Sequence, residues 1–180
     1  MPARPQTAEA AVGAVDLDAL HQLSWRPMVR LAYLLVDDVA LAEDVVQDAF
    51  LGLYRRATTL RDDDAARGYL RVAVVNGARS TLRKRRTVRT YLRSVRLEHD
   101  TPADHDLLRA ERDAALHAAL ETLPRRQREV VVLRYWEHLS EAEIATTLGI
   151  AAGTVKSTAS RALTALGAGL QQWQAEGEHR

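Results

Sequence analysis

The sequence contains no cysteine. That excludes disulfide scaffolds, thiolate zinc sites, iron–sulfur clusters and cysteine nucleophiles, and it fits a reducing compartment, so a cytoplasmic location is the expectation. Long apolar runs are also missing. None approaches the roughly 20 residues that cross a bilayer, so no membrane partner is expected. Met1-Pro-Ala-Arg-Pro5 has no apolar stretch behind it, so no secretory signal is expected. The six histidines (His21, His99, His105, His117, His138 and His179) have no metal-ligand spacing. In Asp62-Asp63-Asp64 consecutive side chains diverge, so the run does not form a metal cluster. There is no phosphate-cradling glycine loop and no G-x-S-x-G elbow. No catalytic residue, cofactor or metal is therefore expected. Strand signals are poor, and only five prolines and nine glycines interrupt 180 residues whose apolar positions recur at three and four. The chain is read as all-α.

What is present is charge, unevenly placed. The formal net charge is only +1. Yet Arg67 to Arg96 holds ten basic residues and no acidic one, while Asp37 to Asp64 holds eight acids against three arginines. For residues 87–96 a solvated basic run is one reading. The twenty residues before them carry Tyr69, Leu70, Val72, Val74, Val75 and Leu82, too apolar for disorder. A basic stripe on a packed helix is the footprint of a polyanion, most often nucleic acid.

The periodicity predicts a helix from about Asp18 to Val36 with Pro27 inside it, a turn at Asp37-Asp38, and a second helix from about Leu41 to Ala57. In the second, Leu41, Val45, Val46, Ala49, Phe50 and Leu53 make an apolar stripe, and Glu43, Asp44, Gln47 and Asp48 share the other side. That acidic face is either simply solvated or a docking surface for a basic partner; it is not a surface for nucleic acid. A polar loop, Thr58–Asp64, precedes a third helix from about Ala65 to Arg86. Leu70, Ala73, Val74, Ala78 and Leu82 form its core face; Arg67, Arg71, Arg79 and Arg83 recur at multiples of four on another, with Asn76 beside them. After a linker, Thr101-Pro102 reads as the start of a helix to about Thr122, and another runs from Arg125 to about Trp136.

Ser140-Glu-Ala-Glu143 is a capping box, Gly149 supplies a left-handed turn, and Ala151 to about Leu170 reads as the last helix. Helix, glycine turn and helix at this spacing are helix-turn-helix geometry, or else an ordinary helical hairpin. In the first case the last helix enters a major groove with Thr154, Lys156, Ser157, Ser160 and Arg161 outward. Arg161 has the fork for guanine, serine pairs with several bases, and Lys156 suits phosphate.

These pieces resemble the extracytoplasmic-function (ECF) group of bacterial RNA polymerase sigma factors. Leu31-Ala-Tyr-Leu-Leu35 and Ala42-Glu-Asp-Val-Val-Gln-Asp-Ala-Phe50 are similar to the core-binding segment of region 2. Tyr69-Leu-Arg71, Val75-Asn76 and Leu82-Arg-Lys-Arg-Arg86 are similar to the segment that reads and melts the minus-ten element. Leu123-Pro124, Gln127-Arg-Glu-Val130, Leu133-Arg-Tyr135, Leu139-Ser140, Ala142-Glu-Ile-Ala145, Leu148-Gly-Ile150 and Gly153-Thr-Val-Lys-Ser157 are similar to region 4. The likeness covers about Asp16 to Leu170, with a leaning to short, Arg-rich actinobacterial members.

The resemblance implies two small helical domains joined by a flexible linker: a tail at 1–15, region 2 at 16–88, a linker at 89–104, region 4 at 105–172 and a tail at 173–180. It implies a dissociable promoter-specificity subunit with no catalysis of its own. Glu43, Asp44, Gln47 and Asp48 would dock on the beta-prime clamp helices of core RNA polymerase, and region 4 on the beta flap. Arg67, Arg71, Asn76, Arg79, Arg83, Lys84 and Arg86 would hold minus-ten promoter DNA, with the Thr58–Asp64 loop taking a flipped base at a cost of a few kcal/mol of stacking. Thr154, Lys156, Ser157, Ser160 and Arg161 would read the minus-35 element. An anti-sigma factor covers these surfaces in many relatives.

Four positions depart from the family's pattern. Ala151 stands where a capping serine is usual, which costs ~1 kcal/mol locally. Thr158 stands where arginine is frequent, Tyr69 where tryptophan is common and Ser80 where aspartate is common. The competing reading is a free-standing helix-turn-helix regulator, dimeric on duplex DNA. It leaves the acidic face and the +10 segment without a role.

Overall fold

The structure is a computed structural model and describes residues 16–56, 59–91 and 116–177. Every regular element among the described residues is helical. Residues 1–15 and 178–180, the 89–104 linker beyond Tyr91 and the Thr101-Pro102 helix start lie outside the described residues, while 173–177 of the expected C-terminal tail are helical.

Helix α1 (Leu17–Val36) begins at Asp16, whose carboxylate accepts from the amides of Asp18 and Ala19 at 3.1 and 3.0 Å. It runs on through Pro27. The Asp37-Asp38 turn divides its labour between two identical residues. Asp37 closes α1 at φ 55°, a left-handed conformation that aspartate tolerates, while Asp38 accepts from the Leu41 amide at 3.0 Å and caps α2 (Val39–Tyr54). Helix α3 (Asp63–Tyr91) starts two residues before Ala65 because Asp62 caps it, accepting from the Ala65 amide at 2.7 Å. It also continues past Arg86.

These three helices pack on one another around Leu20, Leu31, Val46, Leu53, Leu70, Val74 and Val75. Gly77 lets α3 approach α2 closely: a Cβ there would sit 2.9 Å from Cγ1 of Val45.

The second half opens on a short helix α4, described from 116 to 121. Arg128 donates to the carbonyls of Leu120 and Glu121 at its end, at 2.9 and 3.1 Å, where a cation also suits the helix dipole. Helix α5 (Arg125–Val131) then widens into a π-helical turn, Val132–Trp136. Val130-Val131-Val132 is helical and buried rather than extended. Helix α6 (Glu141–Leu148) carries the expected capping box: Ser140 Oγ accepts from the Glu143 amide at 3.3 Å, and the Glu143 carboxylate accepts from the Ser140 amide at 2.8 Å. Gly149 closes it at φ 64°. Helix α7 (Ala152–Gly177) packs on α5 and α6 through Val155, Ala159 and Ala162, over Leu133 and Ile144. α7 extends beyond Leu170, where the periodicity fades.

Candidate polymerase and DNA interfaces

Three polar helix faces survive folding, and they differ in what covers them. On α2, Glu43, Asp44, Gln47 and Asp48 are all exposed, because Ala42, Val45, Val46 and Ala49 take the buried side of the same turns. The row continues into two large apolar side chains that sequence reasoning did not single out, Leu51 (45% exposed) and Tyr54 (41%). Leu51 stands three residues after Asp48 and so off the apolar stripe, which is the signal that could have found it. Behind this face sits an aromatic cluster. His21 stacks on Trp25 at 5.2 Å and meets Phe50 at 4.7 Å, and Phe50 faces Tyr54 at 6.3 Å.

On α3 the expected DNA-facing residues are not equivalent. Arg83, Lys84 and Arg86 are exposed. Arg67 is half-buried and lies 3.7 Å from the exposed carboxylate of Asp64. Asn76 is exposed and accepts a long 3.4 Å bond from Arg79. Arg79 itself is engaged: its Nε and Nη2 fork onto the two carboxylate oxygens of Glu129, each at 2.8 Å. Those hydrogen bonds hold the Arg79 guanidinium above its ordinary pKa. Glu129 is 2% exposed and also faces Arg126 at 3.3 Å and Arg125 at 3.6 Å. Arg71 is half-buried. Burial pushes the Glu137 carboxyl up, and Arg71 and His138 partly oppose this. The hydrogen bonds from the Ser140 hydroxyl and amide pull Glu143 down, with Arg71 adding to the effect.

The loop before α3 is described from Thr59 onward. Thr59 donates to the Arg56 carbonyl at 2.7 Å, and the Arg56 guanidinium stands 5.5 Å over the ring of Tyr69. An aromatic ring and a cation at this loop are the parts that stack and hold an unpaired base.

On α7 the expected reading face is open. Thr154, Lys156, Ser157, Ser160 and Arg161 are all exposed, while Val155, Thr158 and Ala159 are buried between them. Arg161 lies along the helix, its Nε donating to the Ser157 carbonyl at 3.2 Å. Ala151 accepts from the amides of Thr154 and Val155 through its carbonyl at 2.9 and 3.2 Å but has no side-chain oxygen to cap the turn. Thr158 is 3% exposed and serves the core, not the groove.

Among the described residues no three histidine or carboxylate side chains gather as a metal site, and no helix is long and apolar enough to cross a membrane.

Comparison with known proteins bears on both halves. The family profile "Sigma-70 region 2" matches residues 23–88, and "Sigma-70, region 4" matches residues 113–166. The RNA polymerase sigma-E factor of Streptomyces coelicolor is 38% identical over 141 residues, 77% of this chain and 77% of that protein. The ECF RNA polymerase sigma factor SigL of Mycobacterium tuberculosis is 36% identical over 170 residues, 92% of each. Among solved structures, the sigma factor RpoE of Bartonella quintana, in complex with the anti-sigma factor NepR, superimposes with a TM-score of 0.69 at 26% identity, covering 87% of this chain and 97% of that one.

Proposed function

The chain belongs to the ECF group of RNA polymerase sigma factors, alternative sigma factors that direct promoter-specific transcription, and we propose how its surfaces share that work. The acidic row on α2 docks on the beta-prime clamp helices of core polymerase. Leu51 and Tyr54 extend that contact with apolar area, as the centre of a protein interface requires. The basic face of α3 holds the minus-ten strand, with Arg67, Arg71, Asn76, Arg79, Arg83, Lys84 and Arg86 along it. The loop at Arg56, Thr59 and Tyr69 takes a base out of the stack. Helix α7 enters the minus-35 major groove, and its helix-turn-helix half rests on the beta flap. The protein contributes binding and no catalysis, and it acts in the cytoplasm where polymerase is. An anti-sigma factor, like the partner in the Bartonella complex, is the class of inhibitor these surfaces fit.

The observation that carries this reading is the separation of charge: an exposed acidic face on α2 and a basic face on α3, in one three-helix body. A protein that only bound DNA would not present the first. Size exclusion of the chain with bacterial core RNA polymerase tests it. Co-elution supports the reading, and separate elution of folded protein from a matched core enzyme contradicts it.

A further inference from the structure

A cavity of about 160 Å³ lies between α3 and α5. Its floor is apolar: Leu35 of α1 with Val75, Ala78 and Leu82 of α3. Its rim is charged: Arg79 of α3 with Arg125, Arg128 and Glu129 of α5. The Arg79–Glu129 fork spans the two walls, and Ala78, next to it in the chain, brings only a methyl group to the space. Water on that floor finds no polar side chain to bond. An ordered water needs two to four polar partners, and an apolar cavity of ~150 Å³ stays dry and accepts a molecule the size of benzene. Apolar walls that do not meet also forgo dispersion contacts, which a fitted molecule supplies.

The rim carries more positive charge than its carboxylate can meet. Arg79 takes Glu129 through two 2.8 Å bonds, yet Arg125 at 3.6 Å and Arg126 at 3.3 Å draw on the same carboxylate. Arg128 spends Nε and Nη2 on the backbone carbonyls of Leu120 and Glu121 and keeps Nη1. The Glu121 carboxyl attracts Arg128 but is hydrogen-bonded to Asp37. Arg125, with its side chain 55% exposed, keeps both Nη groups uncommitted among the described residues.

We propose that this cavity is a binding site for a small carboxylate whose apolar body is about the size of one aromatic ring. The body fills the floor over Val75, Ala78 and Leu82. The carboxylate turns to the rim, where the Arg125 guanidinium takes it by two parallel bonds and Arg128 Nη1 adds a third. An inorganic anion would leave the floor empty, and a plain hydrocarbon would leave the rim donors to water. A drug-sized ligand is excluded, since such sites measure roughly 300–1,000 Å³. The proposal does not depend on which surface meets polymerase or DNA. Because the walls come from both halves of the chain, occupancy adds to the stability of their union by mass action.

The test is isothermal titration calorimetry of the full chain at low ionic strength with three probes. Benzoate carries both the ring and the charge, benzyl alcohol the ring alone, and acetate the charge alone. Benzoate should bind saturably and raise Tm, benzyl alcohol should bind about tenfold more weakly, and acetate should not bind. Ala78→Val puts two methyl groups into the cavity, and this variant, shown to be folded by circular dichroism, should bind neither ring compound. Arg125→Gln alters an exposed side chain and leaves the floor intact. It should weaken benzoate about tenfold, the worth of a charge-assisted bond, and leave benzyl alcohol unchanged. No saturable binding of benzoate by the parent would overturn the proposal. So would equal affinity for benzoate and benzyl alcohol, or unchanged benzoate affinity in either folded variant. Should Ala78→Val fail to fold, Arg125→Gln still decides. None of these results bears on co-elution with core polymerase, so the proposal can fail while the proposed function stands.

Discussion

Helices α3 and α7 are both assigned to DNA, yet only one is ready for it. The reading face of α7 has no other half of the protein upon it, and its polar residues alternate with buried Val155, Thr158 and Ala159. The basic face of α3 is shared. Its distal end, Arg83 to Arg86, is exposed at Arg83, Lys84 and Arg86, but Arg79 is committed to Glu129 and Arg71 is half-buried. Availability, then, is not a property of a helix's composition. The more basic of the two helices is the less accessible, because one of its arginines, Arg79, is held by Glu129 of the chain's own second half.

The sharpest way to separate the two helices is to unfold the platform of one. Ile144 is fully buried beneath α7. Ile144→Ala should cost about 3 kcal/mol by the loss of packed methylenes. Chemical denaturation should show the loss in the second half, and duplex minus-35 binding should fall with it while single-stranded binding by α3 persists. The polymerase side follows. Asp44→Arg with Asp48→Arg reverses two exposed charges that make no core contact, so thermal stability should hold. Core polymerase binding should drop about a hundredfold, ~2.7 kcal/mol, from like-charge contact. An unchanged pull-down would remove the docking assignment.

A smaller change tests reading on α7 itself. Arg161→Ala should weaken binding to the preferred minus-35 sequence by roughly 1–3 kcal/mol and relax specificity at one base pair. An equal loss on all sequences would make Arg161 a phosphate contact instead. The smallest effect is electrostatic. Glu143 is held below the ordinary carboxylate range by Ser140. A depressed carboxylate stabilises above its unfolded pKa, and that stabilisation disappears as pH falls through the lower folded value. Wild type should therefore be the more stable near neutral pH, and its advantage over Glu143→Gln should vanish on the acid side of a titration followed by helicity.

Much of this was legible because it is local. The Asp37-Asp38 turn, the Ser140–Glu143 box, Gly149 and the buried stripe of α2 each depend on residues within one or two turns of each other, and each stands as the spacing indicates. The exposed outward set of α7 follows from the same periodicity. What escaped is long-range or depends on small shifts. Spacing put Arg79 in one row with Arg67, Arg71 and Arg83, and nothing local marks it for a carboxylate 50 residues away. The ring cluster of His21, Trp25, Phe50 and Tyr54 needs α1 to lie on α2 before it exists. The π-turn at Val132–Trp136 is a change of one residue per turn, too slight for apolar periodicity to reveal. The early start of α3 turned on which of three consecutive aspartates became the cap, and Asp62 took that place.

Run-off transcription of genomic fragments by core polymerase with this chain added is the most direct test of the central claim. A protein that places α3 and α7 on one promoter through polymerase must select fragments bearing two dissimilar boxes at a fixed spacing, with transcripts starting downstream of the second. Transcripts no different from core polymerase alone, or selection of a single palindromic site, would contradict it.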